Sequence, residues 1–166
     1  TTDNETAAFT KSQTARTGTE AGGGGNTATF TLVLGAQPAT DVVLNVVSAD
    51  TGEVTVGAAN YTFTNGNWDT PQTVTLTGVN DDVIDVDTET TVTISVTDAS
   101  SNDEYDDVAN QTVTVTTTDN DTASFTKTET TQTVTEAGGT DTFTLVLGAE
   151  PASDVVLRVT SADTGE

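Results

Sequence analysis

The chain contains no histidine, no cysteine and no methionine. Without imidazole or thiol groups, serine–histidine and cysteine–histidine catalysis is excluded, and so are zinc, copper and iron sites built on those ligands. The absence of cysteine also excludes disulfide bonds. Oxygen atoms are the remaining metal ligands, and they favour hard cations such as calcium or magnesium. We predict that the chain is not an enzyme.

Basic residues are almost as scarce. Four Lys and Arg stand against 26 Asp and Glu, which gives a formal net charge of -22. Nucleic acid and anionic membrane surfaces would repel such a chain. No apolar run approaches the roughly 20 residues that a membrane helix needs. We therefore expect cations as partners, with no nucleic acid binding and no membrane insertion.

The acidic residues are not spread evenly along the chain. In long runs every second residue is Val, Leu, Ile or Phe and the residues between them are often Thr, as at 29–34, 42–47, 73–77 and 92–96. These runs carry almost no charge, whereas Asp concentrates between them. Alternation with a period of two is typical of strands that have one apolar face and one solvated face. The pattern predicts a folded, all-β protein with Phe9, Phe30, Tyr61 and Phe63 in its core.

The sequence repeats itself. Residues 117–138 match residues 1–22, and residues 140–166 match residues 27–53. Internal similarity over this length is the signature of a tandem-repeat architecture. We predict a complete repeat at 1–118 and the first half of the next repeat, strands A to C, at 119–166, which further chain or the next subunit would complete.

Seven strands are predicted in the complete repeat, each bounded by turn residues. Their ranges are A 6–17, B 27–34, C 41–48, D 60–64, E 71–79, F 89–98 and G 110–117. Short strands at this spacing predict a seven-stranded antiparallel immunoglobulin-like sandwich, repeated in tandem.

Three segments resemble a known family. They are TEAGG before strand B, NDDVIDVDTE between strands E and F, and TVTVTTTDND at the end of strand G. In this order they are similar to the Calx-beta domain, which is repeated in large bacterial extracellular and adhesin-like proteins. The resemblance implies a Calx-beta type sandwich that binds Ca²⁺ through acidic loop residues. The positions that match are Glu20, Asp50, Asp81, Asp82, Asp85, Asp87, Glu89, Asp119 and Asp121.

The predicted order of the strands also brings these acidic segments together, independently of the family resemblance. In an up-and-down sandwich, the A–B, C–D and E–F loops and the end of strand G all fall at one pole. This grouping adds Glu53 in the C–D loop, and the repeat adds Glu136 as the copy of Glu20. Asp3 lies at the opposite pole, which would face the preceding repeat. The alternative is that these clusters are only a solvated acidic surface.

These expectations combine into one functional hypothesis. The chain is predicted to be a structural, calcium-binding repeat of a secreted bacterial rod or filament at the cell surface, in which calcium rigidifies the junctions between neighbouring repeats of the same protein. The alternative hypothesis is a ligand-recognition module of a surface adhesin, whose pole loops bind a glycan or a protein.

Overall fold

The computed structural model describes residues 5–20 and 26–162, so that Asp3 lies outside the described residues. Within these ranges the chain divides into two compact units. The first holds residues 5–20, 26–81 and 86–120, and the second holds residues 82–85 and 121–162. The predicted boundary after residue 118 lies two residues before the end of the first unit.

The first unit is a sandwich of two sheets. The four-stranded sheet has the order β1, β3, β7, β5, and the five-stranded sheet has the order β2, β10, β9, β4, β6. The strands are β1 Phe9–Lys11, β2 Ala15–Thr19, β3 Thr27–Leu34, β4 Val42–Ser48, β5 Val54–Val56, β6 Asn60–Phe63, β7 Gln72–Gly78, β9 Thr88–Val96 and β10 Gln111–Thr118. The strand β8, Val83–Ile84, belongs to the second unit. Two 3₁₀ helices, Asp98–Ser100 and Asp103–Tyr105, lie between β9 and β10.

The core lies between the two sheets and follows the predicted alternation. Phe30, Leu32 and Leu34 of β3 are buried, and Val42, Leu44 and Val46 of β4 face them from the other sheet. Burying an aliphatic or aromatic side chain of this size contributes roughly 1.5–3 kcal/mol. Val47, which is replaced by Thr160 in the second sequence copy, is solvated, with 52% of its surface exposed. The predicted all-β sandwich is therefore confirmed.

The count of seven strands and their uniformly antiparallel order are not confirmed. Predicted strand A is divided at 12–14 into β1, which pairs with β3, and β2, which pairs in parallel with β10. Val54–Val56 forms an additional strand against β7. Because strand A is divided, one segment of the chain supplies an edge strand to each sheet. The alternation within β1 and β2 is too short for the sequence to show where the division falls.

The second unit contains the strands β11 Phe125–Lys127, β12 Leu145–Leu147 and β13 Glu150–Pro151. β11 pairs with β12 antiparallel, and β13 pairs in parallel with Val83–Ile84. Residues 155–160, which copy the sequence of β4, are not a strand. No helix among the described residues is long and apolar enough to cross a membrane.

Candidate metal centre

Four segments of the first unit meet at one end of its sandwich. The Glu20 amide donates to the Thr118 carbonyl over 3.2 Å, the Val79 amide to the Glu53 carbonyl over 2.9 Å, and the Gly78 amide to the Asn26 carbonyl over 2.7 Å. These bonds join the two ends of the β2–β3 connection, Glu20 and Asn26, to the ends of β10 and β7, and they join the β4–β5 loop to the end of β7. We call this end, residues 19–20, 50–53, 78–81, 87–89 and 118–120, the acidic pole.

Glu20 is the buried carboxylate of the acidic pole. It follows directly after β2, and only 2% of its surface is exposed. Its backbone is closely confined, because a Cβ atom on Gly78 would lie 2.6 Å from the Thr19 carbonyl oxygen. Gly78 therefore lets β7 pass close to the residue before Glu20. A carboxylate this deeply buried requires strong compensation for its lost hydration.

Two other carboxylates of the first unit lie close to Glu20. A carboxylate oxygen of Glu20 lies within 4.8 Å of one of Glu53, and a carboxylate oxygen of Glu20 lies within 4.8 Å of one of Asp81. Glu53 is half-buried and Asp81 is exposed. At about 4 Å, two unit charges repel by roughly 4 kcal/mol at an effective dielectric constant near 20. The arrangement favours a cation.

Polar groups extend the acidic pole around this trio. The Asp119 amide donates to a carboxylate oxygen of Asp87 over 3.3 Å. The Asn120 amide group donates to the Asn80 side-chain oxygen over 3.0 Å. Asn120 is the middle residue of the terminal DND triplet, and here its amide ties the exit of β10 to the loop after β7. This contact orders the pole without adding charge.

The structure places the remaining predicted ligands in several different surroundings. Asp50 accepts a hydrogen bond from the Gly52 amide over 2.9 Å and closes the turn before β5. Glu89 is exposed on β9, opposite Thr116. Asp82, Asp85, Asp121 and Glu136 belong to the second unit. The Asp82 carbonyl accepts a hydrogen bond from the Glu150 amide at 2.6 Å. Glu136 is exposed, whereas its sequence counterpart Glu20 is buried.

The donor set at the acidic pole fits a hard cation. None of the segments at 18–20, 48–53, 78–90 and 117–121 contains Lys or Arg. The hydroxyl groups of Thr90 and Thr117, which are buried at this end of the core, have no hydrogen-bond partner among the described residues. Carboxylate and carbonyl oxygens are the protein ligands that Ca²⁺ prefers.

The opposite end of the first unit contains the aromatic residues Trp68 and Tyr105. The Trp68 carbonyl accepts the Leu34 amide at 3.0 Å, and its side chain packs against the core of its own unit. Tyr105 is buried and its hydroxyl donates to the Ala36 carbonyl over 2.6 Å. Burial raises the pKa of Tyr105. The sequence did not reveal Tyr105 as a core residue, because it lies in an acidic loop without alternation.

Comparison with known proteins finds similarity at the level of solved structures. No family model matches the chain, and no curated protein matches it. The apo-form Calx CBD1 domain is 14% identical, with 70% of this chain and 100% of that chain covered and a TM-score of 0.46. Domains 4 and 5 of the S-layer protein SbsC are 24% identical, with 66% of this chain and 44% of that chain covered and a TM-score of 0.42.

A nematode protein has the same kind of similarity. WR4, an MSP family member of C. elegans, is 8% identical, with 66% of this chain and 96% of that chain covered and a TM-score of 0.47. At these identities the likeness concerns the fold alone. The Calx domain is thus one of several β-sandwich proteins to which this chain is similar.

Proposed function

We propose that the chain is a structural calcium-binding repeat of an extracellular or cell-surface rod or filament, without catalytic activity. The observation that carries the proposal is Glu20, a carboxylate with 2% exposure that lies within 4.8 Å of the carboxylates of Glu53 and Asp81. The sequence offers no basic residue in any segment of this pole.

A divalent cation offsets this concentration of charge in a way that solvent does not. Water screens the exposed Asp81, but Glu20 is withdrawn from water and its charge must be balanced locally. Ca²⁺ takes 6–8 oxygen ligands and tolerates irregular geometry, whereas Mg²⁺ demands near-ideal octahedral geometry and dehydrates reluctantly. A pole assembled from several separate loops therefore suits Ca²⁺ better than Mg²⁺.

The proposed role of the ion is mechanical. The chain leaves the first unit at residue 120, directly after Thr118 and Asp119 of the acidic pole. A cation held by Glu20, Glu53 and Asp81 would fix the loops that surround this exit and thereby limit its bending. In a row of such repeats, neighbouring domains would then form a stiff rod. Calcium sites of extracellular modules have dissociation constants of about 10⁻⁴–10⁻³ M, so such a rod would respond to calcium outside cells.

The first prediction is that calcium stabilises the first unit. Unfolding of the whole chain is followed by the fluorescence of Trp68, the one tryptophan in the sequence. We expect Tm to rise in excess CaCl₂ relative to chelator, by an amount that corresponds to about 2.7 kcal/mol when calcium is present at 100 times its Kd. MgCl₂ at the same ionic strength should give a much smaller rise.

Two variants separate a site from general charge screening. Glu20→Gln removes one charge from the acidic pole, and Glu129→Gln removes one charge from an exposed position in the second unit. Calcium titrated calorimetrically should bind the Glu129→Gln variant as it binds the unaltered chain, and it should lose most of its affinity for the Glu20→Gln variant. If both variants bind calcium equally, or if magnesium stabilises as much as calcium, the acidic pole is only a charged surface.

A further inference from the structure

The turn between β6 and β7 contains a pair of residues with reactive chemistry. Asn65 is followed there by Gly66, and it is the one asparagine in the sequence that precedes a glycine. In an Asn–Gly pair the backbone nitrogen of the glycine attacks the side-chain amide of the asparagine readily, because glycine has no side chain to hinder the approach. Both residues are exposed, so that water and hydroxide reach them.

The hydrogen bonds of the reacting atoms restrain them only weakly. The Gly66 amide donates to the Thr64 hydroxyl over 3.2 Å, and the side-chain amide of Asn65 donates to the Pro38 carbonyl over 3.2 Å. Both distances lie at the long end of the normal range for hydrogen bonds. The turn therefore leaves the pair free to react.

Asn67 in the same turn is a matched comparison within the chain. Its side-chain oxygen accepts from the Thr64 amide over 2.5 Å and from the Thr64 hydroxyl over 3.1 Å. The residue that follows it is Trp68, whose bulky side chain hinders attack by the backbone nitrogen. The two asparagines thus share a turn, but they differ in how firmly the side chain is held and in the residue that follows.

We propose that Asn65 is a deamidation site, at which a neutral side chain becomes a carboxylate as the protein ages. The backbone nitrogen of Gly66 loses its proton and bonds to the Cγ atom of Asn65. The bond between Cγ and Nδ2 then breaks, ammonia leaves, and a cyclic imide remains. Water opens the imide at either of its carbonyl groups and yields aspartate or isoaspartate. The whole reaction consumes one water molecule and releases one ammonia molecule, without oxidation or reduction.

The conversion would weaken the contact between two loops. Asn65 joins its turn to the β3–β4 connection twice, since its side chain donates to the Pro38 carbonyl and its own carbonyl accepts from the Gln37 side chain over 3.0 Å. An ionised carboxylate has no proton to donate, so the contact with Pro38 is lost. Isoaspartate also lengthens the backbone of the turn. This site lies outside the acidic pole, and the proposal does not depend on calcium binding.

The test begins with the unaltered whole chain, aged in mildly alkaline buffer and mapped by peptide mass spectrometry. We expect amide-to-acid conversion at Asn65, faster at higher pH because the backbone nitrogen must lose its proton, with Asn67 unchanged. Labelling by an isoaspartyl methyltransferase should mark the same peptide. Conversion spread evenly over several asparagines, or none at Asn65, would overturn the proposal.

Gly66→Ala tests the attack by the backbone nitrogen. The substitution is unstrained, because the φ angle of Gly66 lies outside the left-handed region and an added Cβ atom would lie 3.9 Å from its nearest neighbour, the Thr64 hydroxyl oxygen. Conversion at Asn65 should become at least about tenfold slower, since a side chain on the attacking residue raises the barrier. An unchanged rate, with the fold shown intact by Trp68 fluorescence, would contradict this mechanism.

Asn65→Asp reproduces the main chemical change without ageing. Hydrogen exchange should become faster at the Leu34 amide, which donates to the Trp68 carbonyl, and at the Thr70 amide, which donates to the Asn67 carbonyl. Exchange at residues 91–94, in the centre of β9, should not change. If the variant exchanges like the unaltered chain at every position, deamidation at Asn65 does not loosen the two loops.

Discussion

At the residue scale, Asp106 shows how closely packed carboxylates affect one another at the end opposite the acidic pole. Partial desolvation raises the pKa of Asp106 above its ordinary 3.8, and the charge of Asp98 and a side-chain hydrogen bond with it raise it further. Asp103 and Asp107 add smaller repulsions to the same pKa. All four residues lie in the connection between β9 and β10, residues 97–110, where a side-chain hydrogen bond joins Asp106 to Asp98.

This raised pKa predicts a pH-dependent effect on stability. A carboxyl whose pKa is higher in the folded state holds its proton more tightly there, so its contribution to stability falls as the pH rises from below 3.8 through the folded pKa. We expect Asp106→Asn to raise Tm at pH 7 and to leave it unchanged near pH 3. Thermal unfolding across this range checks the expectation, with the exposed Asp41→Asn as the control for lost charge. An equal effect of both variants at every pH would contradict it.

At the element scale, the end of β7 sets the position of Glu20. Gly78 has room for no side chain, because a Cβ atom there would lie 2.6 Å from the Thr19 carbonyl oxygen. Gly57, which directly follows β5, is a matched comparison. A Cβ atom on Gly57 would lie 3.5 Å from the Cβ atom of Thr75, which is an ordinary van der Waals distance. The same residue type is thus required at one position and optional at the other.

We therefore expect Gly78→Ala to lower the free energy of unfolding by about 1–3 kcal/mol, as overpacking of a well-packed interior does. Gly57→Ala should change it by less than about 0.5 kcal/mol. Urea unfolding followed by Trp68 fluorescence measures both changes in the first unit. Equal tolerance of the two substitutions would mean that β2 can withdraw from β7 at little cost.

At the scale of the whole molecule, the net charge of -22 sets a background of self-repulsion. Such repulsion disfavours compact states, and salt screens it with a Debye length of about 10 Å at 0.1 M. We expect Tm to rise between low salt and about 0.5 M NaCl and then to level off. The calcium effect should persist when ionic strength is matched, because a coordinated ion acts at a distance too short for screening. A Tm that does not respond to NaCl would contradict the expected self-repulsion.

Much of the fold could be predicted from the alternation of residues. The period of two identified the buried faces of β3, β4, β7 and β10, because side chains on a strand alternate between its two faces. The division of strand A into β1 and β2 could not be predicted, since exchange between sheets depends on which edges are available. Tyr105 was missed for a similar reason, because it is buried beside Ala36, which is distant in the sequence and whose carbonyl accepts a hydrogen bond from the Tyr105 hydroxyl.

The sequence predicted the type of ligand atom at the candidate site, but it did not predict which acidic residues come together there. Composition alone restricted metal ligands to oxygen, and strand order gathered the acidic loops. Yet Glu20 is buried beside Glu53 and Asp81, whereas Asp50 closes a turn and Glu89 faces solvent. Neighbouring acidic residues in a loop point in different directions, and only the path of the backbone decides which carboxylates converge.

By itself, the sequence determined the all-β class, the inward face of each regular strand and the absence of thiol and imidazole chemistry, because these follow from composition and local periodicity. Tertiary structure alone decided what each copy of the repeated segment does. The same apolar residues form a core in the first unit and a surface in the second, since burial depends on the strands that pack against them. Glu20 and Glu136 differ for the same reason: a carboxylate becomes a buried ligand candidate only where other loops close around it.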